Sequence, residues 1–212
     1  RLVGIHFFNP VAMMPLVEVV VGDATNPETA YRAAAFVRRI DKLPLPVKDA
    51  PGFLVNAVLA PYMNEAMKCV DQGIAPETID AAMLAFGMPM GPIELADTVG
   101  LDVAVAAGRQ LVGEADPPRK LVELVGAGKL GKKTGQGFYA WVEGKAQKAA
   151  SDGAADPALA QRMLKPLLDA TQRLVDQGVV ADAELADAGV IFGTGFAPYT
   201  GGPMNYLERA EG

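Results

Sequence analysis

Three polar residues sit where their types and surroundings could do chemistry. His6 is the only histidine of the 212 residues and closes the apolar run Leu2-Val3-Gly4-Ile5, beside Phe7, Phe8, Asn9 and Pro10. Imidazole is the side chain whose ordinary titration range falls near neutrality, so it suits a general base. Glu18 interrupts the otherwise apolar Leu16-Val17-Glu18-Val19-Val20. A carboxylate buried in such a strand is costly unless it is partnered, and the neighbouring strand offers His6. A carboxylate accepting from one ring nitrogen fixes the tautomer, stabilises the imidazolium and leaves the other nitrogen free to take a proton. The third residue, Asn56, lies in the helix-opening segment Pro51-Gly52-Phe53-Leu54-Val55-Asn56-Ala57. Each also admits a plainer role: His6 packed against the aromatics, Glu18 facing water on an edge strand, and Asn56 as a cap or helix-surface residue.

The elements that must carry these residues are α/β in the first fifty positions. Arg1 to Phe8 and Leu16 to Val21 read as two adjacent strands, separated by a turn-prone segment with Asn9-Pro10 and Pro15. Arg1-Leu2-Val3-Gly4-Ile5 reads as a strand already in progress, so the start is expected to be a cut end. Asn26-Pro27-Glu28 supplies an N-cap, a first-turn proline and an early acid, ahead of Ala30, Ala33, Ala34 and Val37 at helical spacing. Pro44 and Pro46 keep the extended piece Leu43 to Val47 at a sheet edge or outside the sheet.

From Asp49 the pattern turns helical. Asp49-Ala50-Pro51-Gly52 is expected to open a long helix ending at Gly73, bent at Pro61, followed by one from Pro76 to Gly87. Further helical segments are expected near Ile93 to Asp97, Leu101 to Val112 and Arg119 to Val125. Lys129 to Trp141 reads as a loop pinned by aromatics, and Glu143 to Asp156 as a linker without apolar periodicity. Beyond it the pattern partly repeats. Val70-Asp71-Gln72-Gly73-Ile74 is echoed by Val175-Asp176-Gln177-Gly178-Val179, Ile79-Asp80-Ala81 by Ala186-Asp187-Ala188, and Gly91-Pro92-Ile93 by Gly202-Pro203-Met204. Three echoes in the same order argue for duplication of a helical unit.

Composition narrows the classes. Half of the residues are hydrophobic, which suffices for a sizeable core in one or two domains. The net charge is −6, and no stretch interleaves Lys and Arg with aromatics, so neither nucleic acid nor a membrane surface is indicated as a partner. The longest apolar runs, around Phe53 to Met63, fall short of a membrane span, and the chain reads as cytoplasmic. Cys69 reads as a small buried hydrophobe, with a reactive thiol as the alternative. One His and one Cys give no basis for a structural zinc site.

The strings His6-Phe7-Phe8-Asn9-Pro10-Val11 and Met14-Pro15-Leu16-Val17-Glu18-Val19-Val20 resemble the signature of L-3-hydroxyacyl-CoA dehydrogenases. Asp49 to Asn56 is similar to the segment joining that family's nucleotide-binding and helical domains. Gly87-Met88-Pro89-Met90-Gly91-Pro92 and Lys133-Thr134-Gly135-Gln136-Gly137-Phe138-Tyr139 match too, so the resemblance spans essentially the whole chain. It implies a mainly α fold: residues 1–48 as the carboxyl-terminal remnant of an NAD-binding Rossmann domain, then two related helical domains at 49–143 and 156–212. These domains are of the 6-phosphogluconate dehydrogenase C-terminal-like kind, with truncation of the second left open.

The resemblance further implies that His6 takes the 3-hydroxyl proton while hydride leaves C3 for NAD, that Glu18 orients His6, and that Asn56 hydrogen-bonds near the reacting oxygen. Acyl-CoA is the implied substrate, in fatty-acid β-oxidation. The duplicated domain is a feature of the multifunctional β-oxidation proteins, in which it stands in for the partner subunit of the shorter dimeric enzymes; Phe196 to Pro203 resembles their late segment. A homo-oligomer is compatible with this. The sequence departs from the family in lacking, after a strand, the Gly-x-Gly-x-x-Gly turn that holds the pyrophosphate, and a serine of the family's site is also not present. The isolated chain is therefore expected to bind no NAD and to be inactive. The competing class is a helical association module that keeps the fold without the chemistry; the set His6, Glu18 and Asn56 argues against it.

Overall fold

The computed structural model describes residues 2–112, 116–149 and 156–211. The fold is mainly helical with a small sheet, and the chain divides into two compact units, one of residues 1–58 and 168–212 and the other of residues 59–167.

The first unit holds a three-stranded sheet in the order β1 (Gly4–Phe7), β2 (Leu16–Val21), β3 (Leu43–Lys48). β1 runs antiparallel to β2, and β3 runs parallel to it. The prolines are accommodated because β3 is an edge strand, where a missing amide donor leaves no ladder bond unmade. Helix α1 (Pro27–Arg39) crosses from β2 to β3; the Asn26 side chain accepts from the Glu28 amide at 2.9 Å, Pro27 opens the helix, and Arg38 and Arg39 face its negative end. Alternation along β2 then sorts its side chains. Val17 and Val19 pack against Ala33 and Val37 of α1, which leaves Glu18 on the opposite face.

That opposite face is covered by helix α8 (Ala183–Thr194). Gly189 and Gly193, one helical turn apart, allow the close approach. A Cβ on Gly189 would lie 2.5 Å from Leu54 Cδ2, and one on Gly193 would lie 2.5 Å from Val55 Cγ2. The Lys48 amide also donates to the Val179 carbonyl at 2.8 Å, so the end of β3 is tied to the residues preceding α8.

The second unit takes most of helix α2 (Val55–Asp71) together with α3 (Pro76–Phe86), α4 (Pro92–Val99), α5 (Leu101–Leu111) and α6 (Arg119–Gly126). Tyr62, Ile79, Met83, Ile93, Leu101 and Leu121 are among its largest fully buried side chains. Two buried carboxylates organise its turns. Asp80 of α3 accepts from the Ile93 amide at 2.8 Å and the Glu94 amide at 3.2 Å, capping α4 from a distance. Asp97 accepts from the Phe138 and Tyr139 amides at 2.9 Å each and from the Trp141 indole at 3.0 Å. The segment expected to be pinned by its aromatics is pinned through them and through backbone: the Tyr139 hydroxyl donates to Asp80 at 2.8 Å, and the Trp141 indole shares Asp97 with the two amides.

The echoed strings correspond to a repeated contact. In the first unit Asp187 of α8 accepts from the Met204 amide at 2.6 Å and the Asn205 amide at 3.2 Å, at the start of α9 (Pro203–Glu211). Gly91 and Gly202 stand against Asp80 and Asp187 respectively, and in both places a Cβ would overlap the carboxyl group. The helix before each contact, α2 and α7 (Pro157–Asp176), also carries an internal proline, Pro61 and Pro166.

Two expectations are corrected. The long helix begins at Val55 rather than at Asp49, because Phe53 has φ +50° and cannot belong to a right-handed helix. Residues expected in a loop and a linker instead form a hairpin, β4 (Ala140–Val142) with β5 (Lys145–Gln147), turned at Glu143-Gly144, both with positive φ. The remainder of the expected linker at 150–155, and Arg1 of the expected first strand, lie outside the described residues. Among the described residues no helix is long and apolar enough to cross a membrane, and no group of His, Cys, Asp and Glu could hold a metal ion.

Candidate active site

His6 and Glu18 are directly opposed in the antiparallel ladder, so their side chains leave the same face of the sheet. His6 Nδ1 lies 2.8 Å from Glu18 Oε2. The imidazole retains 32% of its exposure while Glu18 has none, so the pair presents a reachable base backed by a carboxylate sealed from water.

What makes that burial tolerable is the start of α2. The Leu54 and Val55 amides each donate to Glu18 Oε1 at 3.0 Å. These donors are among the groups that a helix N-terminus leaves without an intrahelical acceptor, and the helix dipole there favours negative charge. Both carboxylate oxygens are therefore satisfied, one by the base and the other by backbone. The Phe8 ring meets the imidazole edge-on with centroids 4.7 Å apart, and the Phe53 ring lies tilted at 5.5 Å.

After His6 the chain turns through Pro10 to Met14. Lys42 Nζ donates to the Val11 carbonyl at 2.5 Å and the Met14 carbonyl at 2.8 Å, holding this loop to the sheet. An open hollow beside His6 is lined by Gly4, Ile5, Gly22, Thr25, Asp49 and Phe53.

Of the three residues singled out from sequence, His6 and Glu18 are in contact. Asn56 is exposed in the first turn of α2, one residue beyond the amide that bonds Glu18. Sequence reasoning missed the Leu54 and Val55 amides, Phe53, and the glycines of α8. Only the last left a signal, a Gly-x-x-x-Gly spacing that puts two residues without side chains on one helical face.

The structure also bears on a dinucleotide. The spacing Gly-x-Gly-x-x-Gly does occur at Gly126-Ala127-Gly128-Lys129-Leu130-Gly131, but it follows helix α6 rather than a strand. Gly126 ends that helix, and a Cβ on Gly131 would overlap the Asp97 backbone. A helix end of this kind presents carbonyls rather than the amides that bind a pyrophosphate. Among the described residues there is room beside His6 for a reacting group, while this glycine segment forms no cradle for a dinucleotide's phosphates.

Two groups of the second unit are shifted by burial. Burial pushes the Asp80 carboxyl up, against the opposing influence of Lys148, Tyr139 and the Ile93 amide. Burial likewise pushes up the Cys69 thiol, which suits an inert core residue.

Comparison with known proteins agrees with these observations. A family model described as 3-hydroxyacyl-CoA dehydrogenase, NAD binding domain, matches residues 1–50, and one described as 3-hydroxyacyl-CoA dehydrogenase, C-terminal domain, matches residues 52–141. The chain is 38% identical to the fatty acid oxidation complex subunit alpha of Vibrio cholerae, an alignment that covers 98% of this chain and 32% of that protein. It thus spans about a third of the length of the curated relatives it matches. Among solved structures, 3-hydroxybutyryl-CoA dehydrogenase from Escherichia coli is similar with a TM-score of 0.81 at 26% identity, over 98% of this chain and 63% of that one. The dehydrogenase part of multifunctional enzyme 1 from C. elegans is similar with a TM-score of 0.67 at 28% identity, over 91% of this chain and 48% of that one. With both domain models matched in order and a resemblance along nearly its whole length, the chain belongs to the 3-hydroxyacyl-CoA dehydrogenase family.

Proposed function

We propose that this chain is the proton-transferring and substrate-holding part of an NAD-dependent enzyme that oxidises L-3-hydroxyacyl-CoA to 3-ketoacyl-CoA in fatty-acid oxidation. The observation that carries the reading is the His6–Glu18 bond at 2.8 Å, with Glu18 fully buried and doubly bonded to backbone amides. A buried carboxylate so arranged holds Nδ1 as the donor, which leaves Nε2 unprotonated and able to accept the 3-hydroxyl proton. The resulting imidazolium is stabilised by the same carboxylate. A bound NAD would supply the acceptor for the hydride of C3. Asn56 is the third member of the site, its amide hydrogen-bonding near the reacting oxygen.

The chain is read as residues 1–48 ending the nucleotide-binding domain, 49–143 forming the first helical domain and 156–212 the second, its duplicate. The paired contacts of Asp80 and Asp187 support the duplication. Acyl-CoA is the partner, and the setting is cytoplasmic. With no cradle for the pyrophosphate among the described residues, the isolated chain binds NAD negligibly and does not turn over. Two measurements test this reading. Titration calorimetry of the isolated chain with NAD is expected to give no heat of binding. The whole enzyme is expected to oxidise a short L-3-hydroxyacyl-CoA with NAD and to lose that activity in His6→Gln; retained activity in the variant refutes the assignment.

A further inference from the structure

We propose that Phe53 is a positioning residue for the catalytic pair: the left-handed turn at Phe53 lays its ring against the His6 imidazole and so selects the orientation in which Nδ1 faces Glu18. The consequence for catalysis rests on the dehydrogenase reading above, but the geometry does not.

The turn is unusual. Gly52 and Phe53 have φ of +76° and +50° in succession, and left-handed backbone suits glycine far better than a bulky aromatic. A phenylalanine kept in that conformation calls for a compensating role. Two are visible. The turn delivers the Leu54 and Val55 amides to Glu18 Oε1, each at 3.0 Å. It also sets the Phe53 ring 5.5 Å from the imidazole centroid at an interplanar angle of 58°, while Phe8 approaches the same imidazole at 4.7 Å and 68°. An imidazole free of such neighbours rotates in a broad two-fold well about its last torsion, and only some of those orientations keep Nδ1 on the carboxylate. Two aromatic rings meeting it at steep angles restrict that rotation. The carboxylate thus decides which nitrogen carries the proton, and Phe53 decides that this nitrogen faces the carboxylate.

Turn and ring can be separated by mutation. Phe53→Gly retains a residue at ease with positive φ, so the amides stay on Glu18 while the ring is lost. Phe53→Tyr keeps the ring. Because His6 is the only histidine, the nitrogen and carbon signals of its imidazole are unambiguous in the NMR spectrum of the 212-residue chain, with neither substrate nor cofactor present.

The expected result is an Nδ1–H tautomer in the unmutated chain and in Phe53→Tyr. In Phe53→Gly the ratio of that tautomer to the other should fall by about two- to tenfold, which is what an aromatic contact of this kind is worth. An unchanged ratio in Phe53→Gly overturns the proposal. Should that variant fail to fold, Phe53→Leu fills the space without an aromatic face and decides by the same criterion. In the whole enzyme the same substitution should lower kcat and leave KM nearly unchanged. The two readings fail separately. A tautomer that responds to Phe53 in an enzyme that does not oxidise hydroxyacyl-CoA refutes the function and leaves the positioning role standing. An active enzyme whose tautomer ignores Phe53 does the reverse.

Discussion

Glu18 shares its two oxygens between a base and a helix: Oε2 lies 2.8 Å from His6 Nδ1, and Oε1 accepts from the Leu54 and Val55 amides. The pair should therefore act as one unit. In the whole enzyme His6→Gln is expected to lower turnover by roughly 10²–10⁴, the usual worth of a positioned general base, with acyl-CoA binding nearly intact. Glu18→Gln should also lower turnover, and the double variant should lose little beyond His6→Gln. Steady-state oxidation of a short L-3-hydroxyacyl-CoA, with binding measured separately, checks both. Additive losses would separate the two residues mechanistically.

The two aspartate contacts offer a comparison within a single chain. Asp187→Ala removes the acceptor of the Met204 and Asn205 amides and should cost about 1–3 kcal/mol, the scale of buried donors left without partners. Asp80→Ala should cost more, because it also leaves the Tyr139 hydroxyl without its acceptor at 2.8 Å and takes from Lys148 one of its two carboxylate partners, leaving only Glu94 at 2.7 Å. Urea denaturation of the two variants gives the order directly.

The Asp80 cluster also predicts a pH dependence. Its folded-state carboxyl is raised, by burial first, so its contribution to stability is full below the ordinary carboxylate range and is lost as pH rises through the raised value. Lys148 limits that loss by pairing with the ionised form. Burial works against the Lys148 charge, but its bonds to Glu94 and Asp80 prevail and hold its titration above the ordinary lysine range. Lys148→Met should accordingly destabilise the chain more on the alkaline side of the Asp80 titration than on its acid side, where the carboxyl carries its proton and needs no counter-charge. Melting temperatures of the variant and the parent chain on both sides test the sign; an equal loss on both would mean that Lys148 acts by packing alone.

Gly189 is expected to tolerate no side chain. A methyl there would meet Leu54 Cδ2 at 2.5 Å and Leu45 Cδ2 at 2.6 Å, so Gly189→Ala should cost roughly 1–3 kcal/mol through overpacking. Because Leu54 carries one of the Glu18 donors, the same variant in the whole enzyme should lower kcat. Gly108→Ala, in α5 with nothing within contact distance of the added methyl, is the matched control.

The parts legible in the sequence are those set by local pattern. The apolar run around Glu18 called for a partner and offered His6 beside a water-facing alternative, the Asn26-Pro27-Glu28 cap fixed the start of α1, and two prolines confined β3 to an edge or outside the sheet. The echoed strings pointed to Asp80 and Asp187, though not to what either carboxylate binds. The parts that were not legible depend on residues distant in sequence. Phe53 is left-handed because the chain must turn its amides toward a strand 36 residues earlier, and no local rule asks that of a phenylalanine. The hairpin at 140–147 was hidden because its strands are three residues each and carry no apolar alternation.

The close seat of α8 against Leu54 and Val55 bears on the order in which the molecule assembles. The His6–Glu18 contact closes over 12 residues, within reach of a hairpin, and the amide contacts of Glu18 close over 36 and 37. The wall behind Leu54 comes from Gly189, 135 residues further along the chain. Loop-closure entropy grows with such separations, so the strand pair can form early while the carboxylate loses its last water only when α8 arrives. A nascent chain would then hold the base and its partner side by side long before the pair is dry enough to act, which makes the sealing of Glu18 a marker of completed folding.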